Sequence, residues 1–386
     1  MTTTVRNLEN FVGGEWLAPS AEGEDVVLDP STEGELARAP RSSPGDVDRA
    51  VAAARAALGP WSARPPGERA LALLRLADTV EAHADELAAI ESADAGKPLA
   101  SVIEDELPAA ADQLRFFAGA ARCLEGKAAG EYLEGYTSFV RREAVGVVAQ
   151  ITPWNYPLMM AIWKIGPALA TGNTIVLKLA ETTPLSTLRL AELAAEHLPP
   201  GVLNVVLGPG DPTGEALVHH HDVDMIAVTG SIETGKGIAR AAADQVKRVH
   251  LELGGKAPVL VFGDADLEAA LETVAGTGYY NAGQDCTAAT RVLAARSVYD
   301  DVLGGLVDQP PASCPATCAR PRPRSARSTR PDSASASRAS SRVPRITRRS
   351  PPAAGARTGR ATSSSPPSSA AYTRAMRWSS ARSSGR

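Results

Sequence analysis

The segment GNTIVLKLA, residues 172–180, begins a series of short apolar segments that alternate with amphipathic ones. It is followed by the amphipathic segment TPLSTLRLAELAAEHL (183–198), the apolar segment VLNVVLG (202–208) and, after another amphipathic segment, DMIAVTG (224–230). Short apolar strands that alternate with amphipathic helices are typical of a parallel sheet with right-handed crossovers. The sequence therefore predicts a doubly wound α/β fold, in which ligands bind at the carboxyl ends of the strands.

The residues before this stretch predict shorter elements. FVGGEWL (11–17) and DPSTEGEL (29–36) indicate two short strands with Gly and Pro turns. Ser43 and Pro44 cap a segment with helical spacing, which predicts a helix. YTSFVRREAVGVVAQITPW (136–154) alternates and is rich in β-branched residues, so it predicts a pair of strands.

Charge and composition change near Gln309. The 386 residues have a net charge of −4, but residues 310–386 hold 16 Arg and one acidic residue, Asp332, which gives +15 there and −19 before it. This segment has no Leu or Phe, so it cannot bury enough apolar area to offset its chain entropy, and we predict that it is disordered. A basic segment can bind nucleic acid by counterion release, but this one contains no recognition motif, and no nucleic-acid partner is predicted.

The first fifteen residues are polar, and no apolar run reaches the roughly 18 residues of a membrane span. The four cysteines are too few for a disulfide framework in a chain of this length, so we predict a cytoplasmic protein without a membrane partner. No metal site is predicted. Cys314 and Cys318 have no partner ligands nearby, and the consecutive side chains of His219, His220 and His221 should point in different directions.

Two segments place polar residues after predicted strand ends. In AVTGSIETGKGIA, Ser231 and the free amides of a helix that begins near Thr234 could bind a phosphate, although a plain strand-to-helix turn has the same pattern. In VLKLAETTP, Lys178 and Glu181 could bind the ribose of an adenosine, and the carboxylate would repel a 2′-phosphate. The alternative is a solvated charged turn.

A third segment, YYNAGQDCTAATRV, contains Cys286, the only cysteine set among glycine, small and polar residues. A nucleophilic thiol needs partial exposure and nearby backbone amides, whereas a lone cysteine can simply fill a core. Two other segments favour the nucleophile. HLELGGKAPV places Glu252 where a general base could act, and ITPWNYPLMM provides Asn155, whose amide could stabilise an oxyanion.

Five motifs in register, PWNYP, VLK..E.TP, TGS...G, ELGGK and GQDC, resemble the aldehyde dehydrogenase superfamily, and the likeness runs from about Phe11 to Val307. The resemblance implies that Cys286 attacks an aldehyde to give a thiohemiacetal, whose oxyanion Asn155 and the Cys286 N–H hold. It implies that hydride leaves for the nicotinamide of NAD and that Glu252 activates the water that hydrolyses the thioester. The implied cofactor-binding residues are Trp154, Lys178, Glu181, Gly230, Ser231 and Leu253.

The resemblance also implies a division of the chain. Residues 1–128 and 145–253 would form the NAD-binding domain, 129–144 an oligomerisation hairpin of a homo-oligomer, and 254–309 part of the catalytic domain. One departure is Leu179, where the family usually has proline, which could loosen the turn that holds Glu181.

The substrate that the resemblance implies is an aminoaldehyde such as 4-aminobutanal. Asp285 beside the nucleophile and the segment NYPLMMAIWKIGPAL are most similar to the aminoaldehyde-oxidising branch. The carboxylate of Asp285 could attract an ammonium group, or it could be only structural.

Residues 310–386 do not resemble the family. A family-like segment, read one base out of frame with suitable codons, gives MRWSSARSSGR, which is residues 376–386. We therefore predict that this basic segment is out-of-frame sequence and that the catalytic domain is incomplete. The alternative to an active enzyme is then a truncated remnant that at most binds NAD.

Overall fold

A computed structural model describes residues 6–20 and 23–309. The predictions for residues 310–386, which concern disorder, reading frame, nucleic acid and the cysteines at 314 and 318, lie outside the described residues.

The described residues form fourteen strands, eleven α-helices and three short irregular helical turns. The strands are β1 Arg6–Asn7, β2 Asn10–Val12, β3 Glu15–Leu17, β4 Glu24–Leu28, β5 Glu35–Pro40, β6 Gly130–Leu133, β7 Tyr136–Ser138, β8 Val147–Ile151, β9 Thr174–Lys178, β10 Leu203–Val206, β11 Met225–Gly230, β12 Arg248–Leu253, β13 Pro258–Val261 and β14 Arg291–Ala294. The helices are α1 Pro44–Ser62, α2 Pro66–Ala82, α3 Ala84–Ala95, α4 Leu99–Ser101, α5 Leu107–Arg122, α6 Pro157–Ala170, α7 Leu185–Ala194, α8 Glu215–His219, α9 Ile232–Asp244, α10 Leu267–Tyr279 and α11 Tyr299–Asp308. The turns are two π-helical segments, Val102–Glu106 and Gly210–Gly214, and a 3-10 segment, Tyr280–Gly283.

The central sheet has seven strands in the order β12-β11-β8-β9-β10-β2-β3. Neighbours from β12 to β10 pair in parallel, and β2 and β3 add an antiparallel edge. β9 is buried along its whole length, as expected for a strand covered on both faces. The prediction of a doubly wound α/β fold is confirmed.

Helices cover both faces of this sheet. On one face, α6 contacts β9 and α7 contacts β10, and α2 and α5 pack against α6, with a core that includes Leu73, Leu114 and Ile165. On the other face, α1, α8 and α9 enclose a smaller core that includes Val51 and Val228. Helices on both faces of a mostly parallel sheet are the layer arrangement of doubly wound α/β domains.

Leu179 follows β9 and is 1% exposed, so the position that departs from the family's usual proline is part of the apolar core.

The cap of α1 is as predicted. Ser43 and Asp46 form a reciprocal capping box at the start of this helix.

The predicted strand pair at residues 136–154 is wrong. β7 pairs with β6 in a separate two-stranded hairpin, whereas β8 joins the central sheet between β11 and β9. Both strands exist, but the intervening residues carry the chain from one sheet to another, which alternation alone cannot reveal.

None of the helices within residues 6–20 and 23–309 is long and apolar enough to cross a membrane.

Besides the β6–β7 hairpin, the described residues form two further small sheets. β1, β5 and β4 form a three-stranded sheet, and β13 pairs in parallel with β14. Val261 of β13 packs with Val298 and Val302 of the α11 region in a third, small core. The loop between α10 and β14 carries Cys286, so this unit positions the predicted nucleophile.

Candidate active site

Four neighbouring parallel strands bring the predicted site residues to one edge of the central sheet. β8 ends at Ile151, β9 at Lys178, β11 at Gly230 and β12 at Leu253. The registers place Ile151 opposite both Lys178 and Val228, and Gly230 opposite Leu253. The carboxyl ends of these strands therefore meet, which is where doubly wound sheets bind ligands.

Lys178 and Glu181 lie together at the end of β9. Lys178 is 4% exposed, and its Nζ lies 3.5 Å from Oε2 of Glu181. The hydroxyl of Thr183 donates a hydrogen bond to the carbonyl oxygen of Trp154 at 3.1 Å, which ties the loop after β9 to the loop after β8. The alternative of a solvated charged turn is wrong for Lys178, because its ammonium is buried at the sheet edge.

Ser231 caps α9 directly after β11. Its Oγ accepts a hydrogen bond from the Thr234 amide at 3.1 Å, and α9 begins at Ile232, earlier than the predicted start near Thr234. A Cβ at Gly235 would lie 2.5 Å from a methyl carbon of Leu253, so glycine allows the end of β12 to pack against α9. The first turn of α9 and the side chain of Leu253 are therefore packed side by side at the end of the sheet.

The loop that carries Cys286 lies against the segment after β8. Nδ2 of Asn155 donates a hydrogen bond to the carbonyl oxygen of Gln284 at 2.7 Å. A Cβ at Gly255 would lie 3.7 Å from the carbonyl oxygen of Cys286, so the turn after Glu252 also approaches the loop. Cys286 is a free, exposed thiol, which excludes the interpretation as an inert core filler.

Asp285 makes hydrogen bonds on both of its oxygens. Oδ1 accepts from the backbone amide and the hydroxyl of Thr287 at 2.7 and 2.8 Å. Oδ2 accepts from the hydroxyl of Tyr156 at 3.2 Å. These contacts give the carboxylate a structural role in the nucleophile loop.

The sequence profile of the aldehyde dehydrogenase family matches residues 16–312. The chain belongs to the aldehyde dehydrogenase family. It is 45% identical over 304 residues to the NADP/NAD-dependent aldehyde dehydrogenase PuuC of Escherichia coli, with 78% of this chain and 61% of that protein aligned. It is 42% identical to the betaine aldehyde dehydrogenase of Bacillus subtilis, with 77% and 61% aligned.

Solved structures agree with this assignment. The chain matches PnpE in complex with nicotinamide adenine dinucleotide with a TM-score of 0.76 and 42% identity, over 78% of this chain and 62% of that one. The match to an NAD+ complex of betaine aldehyde dehydrogenase from Staphylococcus aureus has a TM-score of 0.76 and 37% identity, over 78% and 60%. The chain spans about 60% of the length of the curated relatives it matches.

The electrostatic environment of Cys286 disfavours the thiolate in this aldehyde dehydrogenase family chain. Partial burial, followed by the carboxylate of Asp285, raises the pKa of the Cys286 thiol above its ordinary value. The thiol therefore rests protonated near neutral pH, and a base must remove its proton before attack. The predicted general base, Glu252, has a half-exposed carboxylate, and its Oε1 lies 3.4 Å from Nε2 of His250.

Sequence reasoning missed two buried lysines near the site. Lys164 of α6 is 5% exposed, and burial lowers its pKa to about 8, an effect that the charge of Glu252 partly offsets. Lys97 is fully buried, with Nζ 2.9 Å from Glu91 and 2.7 Å from Glu106. Both occur in apolar or mixed sequence with no local motif, so no sequence signal distinguishes them from surface lysines.

Lys97 also contacts an aromatic ring of the site. Its Nζ lies 4.6 Å from the centre of the Tyr156 ring, within the range of a cation–π interaction. Burial, followed by the charge of Asp285, raises the pKa of the Tyr156 hydroxyl above its ordinary range. Tyr156 is therefore protonated near neutral pH, where its hydroxyl donates a hydrogen bond to Asp285.

The expectation that the three consecutive histidines point apart is wrong for two of them. The rings of His220 and His221 stack with centres 4.9 Å apart, and their ligand atoms lie with that of Asp222 within 4.8 Å. Each of these rings also has a carboxylate neighbour, since His220 lies 3.2 Å from Asp48 and His221 lies 3.2 Å from Asp222. The absence of a metal site stays a prediction.

Proposed function

We propose that this chain binds NAD at the carboxyl edge of the central sheet and oxidises an aldehyde to a carboxylic acid through Cys286. The observation that carries the proposal is the meeting of four strand ends with the nucleophile loop, which Asn155 joins through its hydrogen bond to Gln284. The relatives that are named as aldehyde dehydrogenases and solved with NAD support it.

The residues at the sheet edge fit NAD. The ammonium of Lys178 and the carboxylate of Glu181 would hold the adenosine ribose hydroxyls, and the start of α9 with Ser231 would receive the pyrophosphate. The buried hydroxyl of Thr229, at the end of β11, has no hydrogen-bond partner among the described residues. Trp154, Gly230 and Leu253 would line the same edge. When bound, NAD supplies the hydride acceptor.

The chemistry of the chain's own residues begins at the thiol. Because the pKa of Cys286 is raised, its proton must pass to a base as sulfur attacks the aldehyde carbon. The side-chain amide of Asn155 has two N–H donors, and one of them binds the carbonyl oxygen of Gln284. The second N–H, together with the backbone N–H of Cys286, can therefore bind the oxyanion. Glu252, whose carboxylate is exposed, would activate the water that cleaves the thioester.

The substrate we propose is an aminoaldehyde. Asp105 and Asp285 form an acidic neighbourhood, because Tyr280 donates a hydrogen bond to Asp105 at 3.0 Å and the pKa of the Tyr280 hydroxyl is raised by burial, then by Asp105 and also by Asp285. Glu106 lies beside them but is ion-paired with Lys97. Acidic groups near the nucleophile favour a cationic substrate. The relative named betaine aldehyde dehydrogenase is compatible with this substrate class.

The experiment is NADH formation by the purified chain with NAD and 4-aminobutanal, beside hexanal as an uncharged aldehyde. Cys286→Ser should abolish the reaction, while Cys123→Ser, which changes another exposed thiol, should leave it unchanged. A preference for 4-aminobutanal supports the aminoaldehyde, and equal rates restrict the proposal to aldehydes in general. NAD binding without any oxidation would favour the alternative, a remnant that only binds NAD.

A further inference from the structure

The backbone turns sharply just before the nucleophile. Asn281, Ala282 and Gly283 have φ angles of 50°, 58° and 75°, so three consecutive residues are left-handed. Glycine adopts this conformation freely, but Asn and especially Ala adopt it at a cost, which the surrounding contacts must offset. The contacts that do so are expected to fix how the following loop is aimed.

Asn281 makes these contacts. It is 4% exposed, and its Nδ2 donates hydrogen bonds to the carbonyl oxygens of Asn155 at 3.0 Å and Gln284 at 3.1 Å. The Gln284 carbonyl also accepts from Nδ2 of Asn155. The backbone N–H of Gln284 in turn donates a hydrogen bond to the backbone carbonyl oxygen of Asn281 at 3.1 Å. One side chain therefore connects the backbone and the side chain of Asn155 to the loop two residues before Cys286.

We propose that Asn281 is a positioning residue that holds Cys286 in register with the amide of Asn155. The proposal rests on the proposed function of Cys286 as nucleophile and Asn155 as oxyanion donor. Without the Asn281 amide, the Gln284 carbonyl loses one of two donors, and the left-handed turn loses the bonds that hold it. The thiol stays in the chain and stays exposed, but it no longer faces the oxyanion donor at a fixed distance.

Two reagents separate position from mere reactivity. p-Nitrophenyl acetate acylates a thiol through a tetrahedral oxyanion, in which the carbon–sulfur bond forms, p-nitrophenolate leaves and the thiol proton passes to a base. Iodoacetamide alkylates the same sulfur by displacement of iodide, with no oxyanion. A group that positions the thiol beside Asn155 should affect the first reaction far more than the second.

The variants are Asn281→Asp and Asn281→Gly. Aspartate keeps the size and the tolerance for positive φ but has no N–H to donate, and glycine keeps the backbone conformation without the side chain. Ala282→Gly is the matched control, since it relieves the neighbouring backbone without removing a hydrogen bond. Cys123, an exposed thiol outside the loop, serves as an internal reference when each cysteine is followed by peptide mass spectrometry.

We expect both Asn281 variants to lower acylation of Cys286 about tenfold or more, with alkylation within about twofold of the wild type and Ala282→Gly unchanged in both. The inference is overturned if either variant acylates Cys286 at the wild-type rate, or if both reactions change equally, as a general loss of structure would cause. Failure of the proposed function looks different. The wild-type Cys286 would then acylate no faster than Cys123.

Discussion

At the scale of single residues, Lys164 has a pKa of about 8 instead of 10.5, because burial disfavours its charged form. Because the unfolded chain binds a proton at Lys164 more tightly than the folded chain does, the free energy of unfolding is highest above pH 10.5. It decreases as the pH falls to about 8, where the buried amine also becomes charged. Lys164→Met should therefore raise the free energy of unfolding at pH 7 by roughly 3 kcal/mol and change it little near pH 10.5. Urea unfolding at both pH values measures this.

The control for Lys164 is Lys236→Met on α9, because the Lys236 side chain is 56% exposed. It should change the free energy of unfolding by less than about 0.5 kcal/mol at either pH. A Lys164→Met protein that is less stable than the wild type at pH 7 would show that the ammonium has a stabilising partner, and the account of this residue would be wrong.

At the scale of elements, Ser43 and Ser231 both cap a helix, but only α9 begins at the proposed cofactor edge. Replacing either by alanine removes a side-chain acceptor and should cost about 1 kcal/mol of stability. Only Ser231→Ala should also weaken NAD binding, since α1 begins elsewhere. Equal loss of NAD affinity in both variants, measured by calorimetry, would mean that stability alone limits binding.

Some elements of the fold could be predicted from the sequence and others could not. The alternation of strands with amphipathic helices predicted the sheet, because this signal is local. The polar residues after strand ends predicted the edge at which the proposed cofactor site lies. The strand pair at residues 136–154 failed because partner choice depends on distant strands. The contacts of Asn281 with Asn155 and of Lys97 with the Tyr156 ring could not be predicted, because they join segments far apart in the chain.

At the scale of the whole molecule, the β6–β7 hairpin stays a predicted oligomerisation element. Its tip exposes Tyr132, Leu133 and Tyr136, with Phe139 just beyond, at 63% to 81% of their surfaces. Contiguous exposed apolar groups of this kind mark interfaces. Light scattering should give a mass above that of one chain, and Tyr132→Glu with Tyr136→Glu should lower it. A single-chain mass for the unchanged protein would contradict the hairpin's role.

The reading-frame hypothesis for residues 310–386 also concerns the whole molecule, and it stays a prediction. Sequencing the genomic DNA across codons 300–390 tests it directly. An inserted or missing base near codon 309, relative to a frame that encodes family-like sequence, is the expected result. A gene in which no alternative frame resembles the family would contradict it.

Calorimetric titration of the purified chain with NAD shows whether the strand ends of β9 and β11 form an NAD site. We predict saturable binding at one site per chain, with NADP bound more weakly because the Glu181 carboxylate repels its 2′-phosphate. Glu181→Gln should reduce that preference, and Lys178→Met should weaken binding of both. No binding, or binding that neither substitution changes, would contradict the account.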